Sequence, residues 1–135
     1  MREILFRGKR CDNGEWVDGF LLKECNYATC SWNLAIEYKT DRFGKFAYDV
    51  AEVVTETVSQ FTGLTDKNGK KIFEGDIVEF DGELCYAVYY IIFVDGCFRI
   101  AQNGKYSYTL HNLYSSLEVI GNIHDHPELL KGGEE

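Results

Sequence analysis

The sequence predicts a mainly β protein with minor α content, made of an N-terminal β-hairpin region and a C-terminal SH3-like small β-barrel. Three observations support this fold class. Asx-Gly dipeptides occur six times in 135 residues, and they are typical of tight hairpin turns because both positions tolerate positive φ. Most of them separate runs rich in Tyr, Phe, Val and Ile, which favour strands. Aromatic residues make up 15% of the chain.

The N-terminal region, residues 1–60, begins with a predicted hairpin. Residues 3–9 and 16–22 form its strands, and Asp12-Asn13-Gly14 forms the turn between them. Alternating apolar residues in the first strand fit a half-buried face. The following elements are also predicted: one strand or a broken pair over residues 27–38, a polar loop over 40–45, short strands over 46–50 and 57–62, and a turn of helix over 51–56 between them.

The C-terminal region, residues 61–135, is predicted to be an SH3-like barrel domain with a short C-terminal tail. A short helical turn over residues 111–116 is expected before its last strand. Five short strands with tight turns indicate a closed or partly closed barrel, since closure also removes exposed strand edges. These strands are predicted over residues 76–80, 83–94, 97–102, 105–110 and 118–123.

The longest apolar run of the chain lies at residues 84–94. It is too short to span a bilayer as a helix, which takes about 20 residues. As a strand it is apolar on both faces, so both faces require burial. One face fills the core. The other meets a second subunit or the N-terminal hairpin, or the strand bends between two cores.

The composition is that of a folded, acidic protein. The chain has 14 Lys and Arg against 22 Asp and Glu, a net charge of −8, which is the opposite sign from a general polyanion binder. No apolar signal-peptide core follows the basic start, so a cytoplasmic location is expected. Free thiols are expected too, because the five cysteines, at positions 11, 25, 30, 85 and 97, are odd in number, irregularly spaced and without a Cys-x-x-Cys pair.

Several motifs resemble the YopX family. At the N-terminus these are REI at residues 2–4, FR at 6–7 and DNGEWV at 12–17. The central part is the most specific, with QFTGLTDKNGK at 60–70 and IFEGDIVEF at 72–80. Near the C-terminus, EVIGNI at 118–123 and PELL at 127–130 complete the pattern. Residues 24–56 match no part of it.

The resemblance implies an SH3-type barrel in the C-terminal half, a tendency to self-associate, and an origin in bacteriophages and prophages. It implies no known activity and carries over no catalytic or ligand-binding residue. The residues themselves suggest that the central motif is structural. Thr65 to Lys70 forms a polar turn, Ile72 and Phe73 are apolar anchors, and Glu74-Gly75-Asp76 turns the chain into a strand. A ligand-facing loop is the alternative.

The histidines include a cluster, His124-Asp125-His126. On an extended segment the two imidazoles would project from one face and could hold a metal ion, with His111, Cys97 or Glu128 as a third ligand. Because spacing fixes no third ligand, a solvated strand end is the favoured interpretation. No metal ligand is therefore assigned.

Acidic residues offer a second place for a metal ion. Carboxylates at this density could bind Mg²⁺, but several lie in predicted turns, where a solvated position is the favoured interpretation. Glu37-Tyr38-Lys39 contains the Glu-x-Lys element of one nuclease class and lacks a convincing partner Asp. The acidic cluster consists of Glu74, Asp76, Glu79, Asp81, Glu83 and Asp95.

Basic residues concentrate in two groups. If the groups adjoined, with Phe6, Trp16 or Phe73 exposed between them, they could bind single-stranded nucleic acid. The acidic surface could instead mimic DNA. Charges that keep hairpin turns soluble are the favoured interpretation. The first group is Arg2, Arg7, Lys9 and Arg10, and the second is Lys67, Lys70 and Lys71.

The sequence therefore predicts a non-enzymatic phage or prophage accessory protein that acts by binding, as a homo-oligomer, in the cytoplasm of the bacterial host. A host or phage protein is the expected partner, and neither a membrane nor a cofactor is expected. A nucleic-acid-binding module, which the net charge disfavours, and a metal-dependent enzyme are the alternatives. No catalytic, cofactor-binding or metal-ligating residue is assigned.

Overall fold

The structure is a computed structural model, and it describes residues 3–29, 31–42, 45–80, 88–102 and 104–131. The chain forms two compact units, Met1–Gln60 and Phe61–Glu135. Both are built from antiparallel strands, with only short helical segments among the described residues. None of these helices is long and apolar enough to cross a membrane. The predicted mainly β fold with minor α content is confirmed.

The first unit contains an antiparallel sheet. Its strands are β1 (Phe6–Lys9), β2 (Trp16–Asn26), β3 (Ser31–Arg42), β4 (Lys45–Glu52) and the first residues of β5 (Ser59–Thr65), which runs on into the second unit. Their hydrogen-bonded order is β4-β3-β2-β1-β5. A 3-10 turn at Thr55–Thr57 precedes β5. The polar loop predicted over 40–45 is wrong in extent, because β3 continues to Arg42 and β4 begins at Lys45.

Strand β2 changes its partner strand partway along. Gly19 pairs with Phe6 of β1, whereas the next residue, Phe20, pairs with Glu37 of β3. A Cβ atom on Gly19 would overlap the backbone carbonyl oxygen of Glu37. The Asp18-Gly19 dipeptide therefore lies inside a strand and does not form a turn. Its glycine instead permits the backbones of two strands to pack closely.

Most core side chains of the first unit lie on one face of this sheet, although the fully buried Ala35 of β3 lies on the other. Ile36 is fully buried on the first of these faces and pairs with the buried Ala51 of β4. Val53, just beyond β4, is also buried and packs against Gly8 of β1, where an added Cβ would lie 2.9 Å from the Val53 Cβ atom. Small residues at positions 8 and 51 thus let the strands and the larger side chains pack closely.

The second unit contains the rest of β5, a set of shorter strands and a short helix. The elements are β6 (Lys71–Phe73), β7 (Asp76–Phe80), β8 (Val88–Val94), β9 (Cys97–Gln102), β10 (Lys105–Thr109), 3-10 turns at Leu110–Asn112 and Tyr114–Ser116, β11 (Leu117–Asn122) and α1 (Glu128–Lys131). Phe61 of β5 pairs with Phe73 of β6. The other strands form a five-stranded antiparallel sheet in the order β10-β9-β8-β7-β11.

The sequence predicts closure of this sheet into a barrel, but closure is not observed within the described residues. Strands β10 and β11 form its two ends, and no pairing joins them within the described residues. The chain between them forms the two 3-10 turns, and Leu110 of the first turn is fully buried in the core. Because this segment is helical and contributes a core side chain, it does not join β10 and β11 as a hairpin.

Strand β8 lies in the middle of the five-stranded sheet. Ile91 packs in the core with Val78 and Ile100. On its other face Tyr90 is half-buried and pairs with the fully buried Ile77. Helix α1, where the sequence predicted only a tail, lies beside β8. Residues 84–87 of the apolar run lie outside the described residues, so a second subunit on this strand stays a prediction.

Candidate interaction surfaces

The central motif is organised around the buried carboxylate of Asp66. Its Oδ1 atom accepts hydrogen bonds from the backbone N–H groups of Asn68 and Lys70, both at 2.9 Å. Its Oδ2 atom accepts one from the N–H of Val119 at 2.9 Å. Burial raises the pKa of Asp66, but these three hydrogen bonds and the Lys70 charge outweigh it, and the pKa lies below its ordinary value. The carboxylate is fully engaged in holding the fold.

The second half of the motif also contains a buried aspartate. Asp76 is 1% exposed, and its Oδ2 atom accepts a hydrogen bond from the N–H of Phe73 at 2.7 Å. Between them, Gly75 has a φ of 85°. The N–H of Gly75 donates to the carbonyl of Ile91, and its own carbonyl accepts from Ile123, both at 2.9 Å. These contacts support the structural interpretation of the motif.

The histidine cluster lies in a turn after β11 and not on the extended segment considered above. The Asn122 Oδ1 atom accepts hydrogen bonds from the N–H groups of His124 at 3.0 Å and Asp125 at 2.9 Å. The N–H of Asn122 in turn donates to Nδ1 of His126 at 3.3 Å. Asn122 therefore organises the turn. Across the described chain, no three His, Cys, Asp or Glu side chains gather where they could hold a metal ion.

The acidic cluster of residues 74–95 is dispersed in the part that the structure describes. Asp76 is buried at the first residue of β7, Glu79 lies further along the same strand, and Asp95 lies in the turn between β8 and β9. Asp81 and Glu83 lie outside the described residues. Glu37-Tyr38-Lys39 lies within β3, so Glu37 and Lys39 share one face of the sheet and Tyr38 lies on the other.

Part of the first basic group surrounds an indole ring. The guanidinium carbon of Arg7 lies 4.8 Å from the ring centre of Trp16, and the Lys9 ammonium lies 5.6 Å from it. Arg10 instead pairs with Asp12 at 2.7 Å and donates a hydrogen bond to the Tyr38 hydroxyl at 3.0 Å. Arg2 lies outside the described residues. Arg7 and Lys9 are thus brought together with Trp16, as cation–π contacts favour.

The second basic group, Lys67, Lys70 and Lys71, belongs to the second unit. Lys71 lies over the Phe61 ring at 5.6 Å, and Lys67 pairs with Glu118 at 3.7 Å. These lysines thus contact their own unit.

Three cysteines in the described residues are free thiols, namely Cys11, Cys25 and Cys97. Cys11 is exposed. Partial desolvation raises the pKa of the Cys11 thiol, and the carboxylates of Glu52 and Asp12 raise it further. Such a thiol is less reactive at neutral pH than an ordinary one. Cys30 and Cys85 lie outside the described residues.

The most unusual surface lies on the sheet face opposite the core of the first unit. We call it the aromatic face and define it by Phe20, Phe46, Tyr48 and Val50. Their exposed fractions are 53%, 92%, 57% and 45%. Residues 46, 48 and 50 alternate along β4, so they point to the same side, and Phe20 lies on that side because it and Val50 both pair with Glu37. Large apolar side chains are rarely left in water as a group.

Carboxylates are interleaved with the aromatic face. Asp41 pairs with Phe46, and Glu37 lies between Phe20 and Val50. Lys39 pairs with Tyr48. Two further carboxylates, those of Glu24 and Glu52, lie on the same side of β2 and β4 by the alternation of strand residues. Over β3, β4 and the part of β2 from Phe20 onward, the face therefore carries four acidic side chains, at positions 24, 37, 41 and 52, against one basic side chain at position 39. Beyond this region, Arg7, Lys9 and Asp18 lie on the same side of the sheet, on β1 and the start of β2.

The sequence predicts the strand at 46–50 but not this surface. The signal is present in the alternation of Phe46, Tyr48 and Val50 with the smaller Ala47 and Asp49. By convention the larger apolar set would be assigned to the core. The structure places Ala47 and Asp49 on the core side, because they alternate along β4 with the buried Ala51. Only the pairing of Ala51 with Ile36 reveals this orientation.

Comparisons with known proteins cover nearly the whole chain. A family model described as "YopX protein" matches residues 5–131. The crystal structure of protein EF1440 from Enterococcus faecalis is similar at a TM-score of 0.60 and 27% sequence identity, over 96% of this chain and 99% of that one. A search of curated proteins finds no match.

Proposed function

The chain belongs to the YopX family, and on that premise we propose that it is a non-enzymatic accessory protein of a bacteriophage or prophage that acts by binding. The aromatic face is the proposed binding surface. The observation that carries the proposal is the exposure of Phe46 and Tyr48, at 92% and 57%, beside other apolar side chains on an ordered sheet. Burial of such a patch by a partner is favourable, because apolar area is removed from water.

The proposal is tested by capture from phage-infected bacterial cells. The double variant Phe46→Ser/Tyr48→Ser removes the two most exposed rings of the face. Tyr108→Ser is the control, because Tyr108 is 65% exposed in the other unit. We expect a protein that the wild type and the control retain and that the double variant loses. Equal capture by all three chains would contradict the proposal.

We further propose that the protein is a homo-oligomer in the host cytoplasm. Phe93, which is more than half exposed on β8 of the five-stranded sheet, supports self-association through the second unit. The free thiols of Cys11, Cys25 and Cys97 support a reducing compartment. Sedimentation velocity at micromolar concentration tests the oligomer, and a monomer at every concentration would contradict it.

An SH3-like arrangement of the second unit is also a proposal. Strands β7 to β10 follow one another as a meander, and β11 pairs with β7. A helical segment, Tyr114–Ser116, leads directly into β11. These features support SH3-like strand connectivity in an open sheet.

A second candidate function is the binding of single-stranded nucleic acid. It is favoured by one observation, the placement of Arg7 and Lys9 over Trp16. A mobility-shift titration tests it, since phosphate contacts weaken as salt rises. Binding that is insensitive to salt, or unaffected by Arg7→Gln/Lys9→Gln, would contradict it.

A further inference from the structure

We infer that the aromatic face is a docking surface for a basic, arginine-bearing segment of another protein. This inference rests on the proposed binding function and specifies the partner's chemistry. It is carried by the combination of exposed rings with an excess of carboxylates on the same side of the sheet.

The rings supply one half of the recognition. Phe46 and Tyr48 stand on alternate positions of β4, about 7 Å apart along the strand. The faces of aromatic rings attract guanidinium and ammonium groups, and arginine more often than lysine. The chain makes this contact elsewhere, with Arg7 over Trp16 at 4.8 Å and Lys23 over Trp32 at 5.4 Å. In the described part of the chain, no cation lies over the rings of Phe46 and Tyr48.

The carboxylates supply the other half. Asp41 is the cross-strand partner of Phe46, and Glu37 lies between Phe20 and Val50. An arginine placed on a ring of this face therefore has a carboxylate within the neighbouring strand positions, where paired hydrogen bonds are favourable. Over β3, β4 and the adjoining part of β2, the excess of four acidic over one basic side chain makes the face complementary to a cationic surface. The basic Arg7 and Lys9 lie outside this region, on β1.

The same charges disfavour two other occupants. A two-fold contact between copies of this face would bring carboxylates of one copy against those of the other. Nucleic acid would meet the same repulsion from its phosphates. A basic protein segment is the occupant that satisfies both the rings and the carboxylates.

The position of β4 fits an extended segment. Among the described strands, β4 is the outermost in the order β4-β3-β2-β1-β5. A strand added beside it would place every second side chain next to Phe46, Tyr48 and Val50, as in recognition by strand addition. Alternating arginine and apolar residues would suit that geometry.

The test uses labelled synthetic peptides and the full-length protein. The first peptide alternates arginine with valine, and the second replaces each arginine with glutamate. Binding is followed by fluorescence anisotropy at low and high salt. We expect saturable binding of the arginine peptide that weakens as salt rises. We expect no binding of the glutamate peptide.

Two sets of variants locate the site. Phe46→Ser/Tyr48→Ser removes the rings, and Glu37→Gln/Asp41→Asn/Glu52→Gln removes charge. Each should weaken binding of the arginine peptide by about tenfold or more, as expected for the loss of a desolvated contact of that kind. The charge control is Glu15→Gln/Glu56→Gln/Glu128→Gln, which neutralises three exposed carboxylates that lie outside the aromatic face. The control for the loss of an exposed ring is Tyr108→Ser. Neither control should change binding by more than about twofold.

The outcomes separate this inference from the proposed function. If the face variants and the charge control weakened binding of the arginine peptide equally, the inference would be overturned. Binding would then depend only on the net charge of the protein. Two other results would also overturn the inference. One is loss of self-association in the face variants, and the other is loss in these variants of a salt-sensitive binding of DNA. Either result would leave the aromatic face as a binding surface with a different partner. If the face variants also capture the same protein from cells as the wild type does, both the inference and the proposed function are contradicted.

Discussion

The Oδ2 atom of Asp66 and the backbone N–H of Val119 are joined by a hydrogen bond of 2.9 Å across 53 residues of sequence. The bond links the turn after β5 to the middle of β11. Lys67 adds a second link, since its N–H donates to the Leu117 carbonyl at 2.9 Å. The most specific motif in the chain is therefore explained by folding, and function has to be sought on other surfaces.

Substitution of Asp66 tests this explanation. Asp66→Asn keeps the shape but places an amide NH₂ where one carboxylate oxygen accepts a backbone N–H. We expect the free energy of unfolding to fall by about 1–3 kcal/mol, the usual cost of leaving a buried partner unsatisfied. Denaturant unfolding measures it, with the exposed Glu56→Gln as a control that should stay near the wild type. An Asp66→Asn variant as stable as that control would show that the carboxylate has another role.

The pH dependence of stability gives an independent check on Asp66. Its pKa is lower in the folded chain than its ordinary value, so the folded state favours the ionised form. The resulting stability is fully present above the unfolded pKa, about 3.9, and is lost as pH falls through the folded value. The stability difference between the wild type and Asp66→Asn should therefore be largest at neutral pH and narrow below about pH 4. A constant difference across that range would contradict the assignment.

A steric relationship between β11 and the turn that follows it leads to the next prediction. A Cβ atom on Gly121 would lie 2.7 Å from Nδ1 of His126. Gly121→Ala should therefore destabilise the chain by about 1–3 kcal/mol, the usual cost of overpacking. In a His126→Ala background the ring is absent, and the same change should cost markedly less. Denaturant unfolding of the wild type, the two single variants and the double variant completes the cycle. If Gly121→Ala lowered the free energy of unfolding equally in both backgrounds, the His126 ring would not be the source of the steric overlap.

Local turn chemistry explains why much of the strand pattern could be predicted. Asp95-Gly96 has positive φ at both residues, 54° and 80°, as a tight hairpin turn requires. Gly14 and Gly69 also have positive φ. Asp18-Gly19 has the same composition but lies within β2, since the constraint at Gly19 comes from the distant carbonyl of Glu37. A tertiary contact of that kind has no signature in the neighbouring sequence.

The candidate surface was less predictable than the strands, for a related reason. The alternation at residues 46–50 places Phe46, Tyr48 and Val50 on one face of the strand. It does not indicate whether that face is buried or exposed. That choice depends on the register with β3, in which Ile36 pairs with Ala51. The histidine cluster shows the same dependence, because the side chain of Asn122 folds it into a turn.

The aromatic face makes a final prediction that separates binding from folding. Phe46→Ser/Tyr48→Ser should change the free energy of unfolding by no more than about 0.5 kcal/mol per site, because the two rings are mostly in water already. Ile36→Ala on the opposite face should cost about 2–5 kcal/mol, because that side chain is fully buried. Denaturant unfolding of the three chains compares the two faces directly. If the double variant lost as much stability as Ile36→Ala, the rings would belong to the folded core, and a loss of binding in that variant would report unfolding and not a missing contact surface.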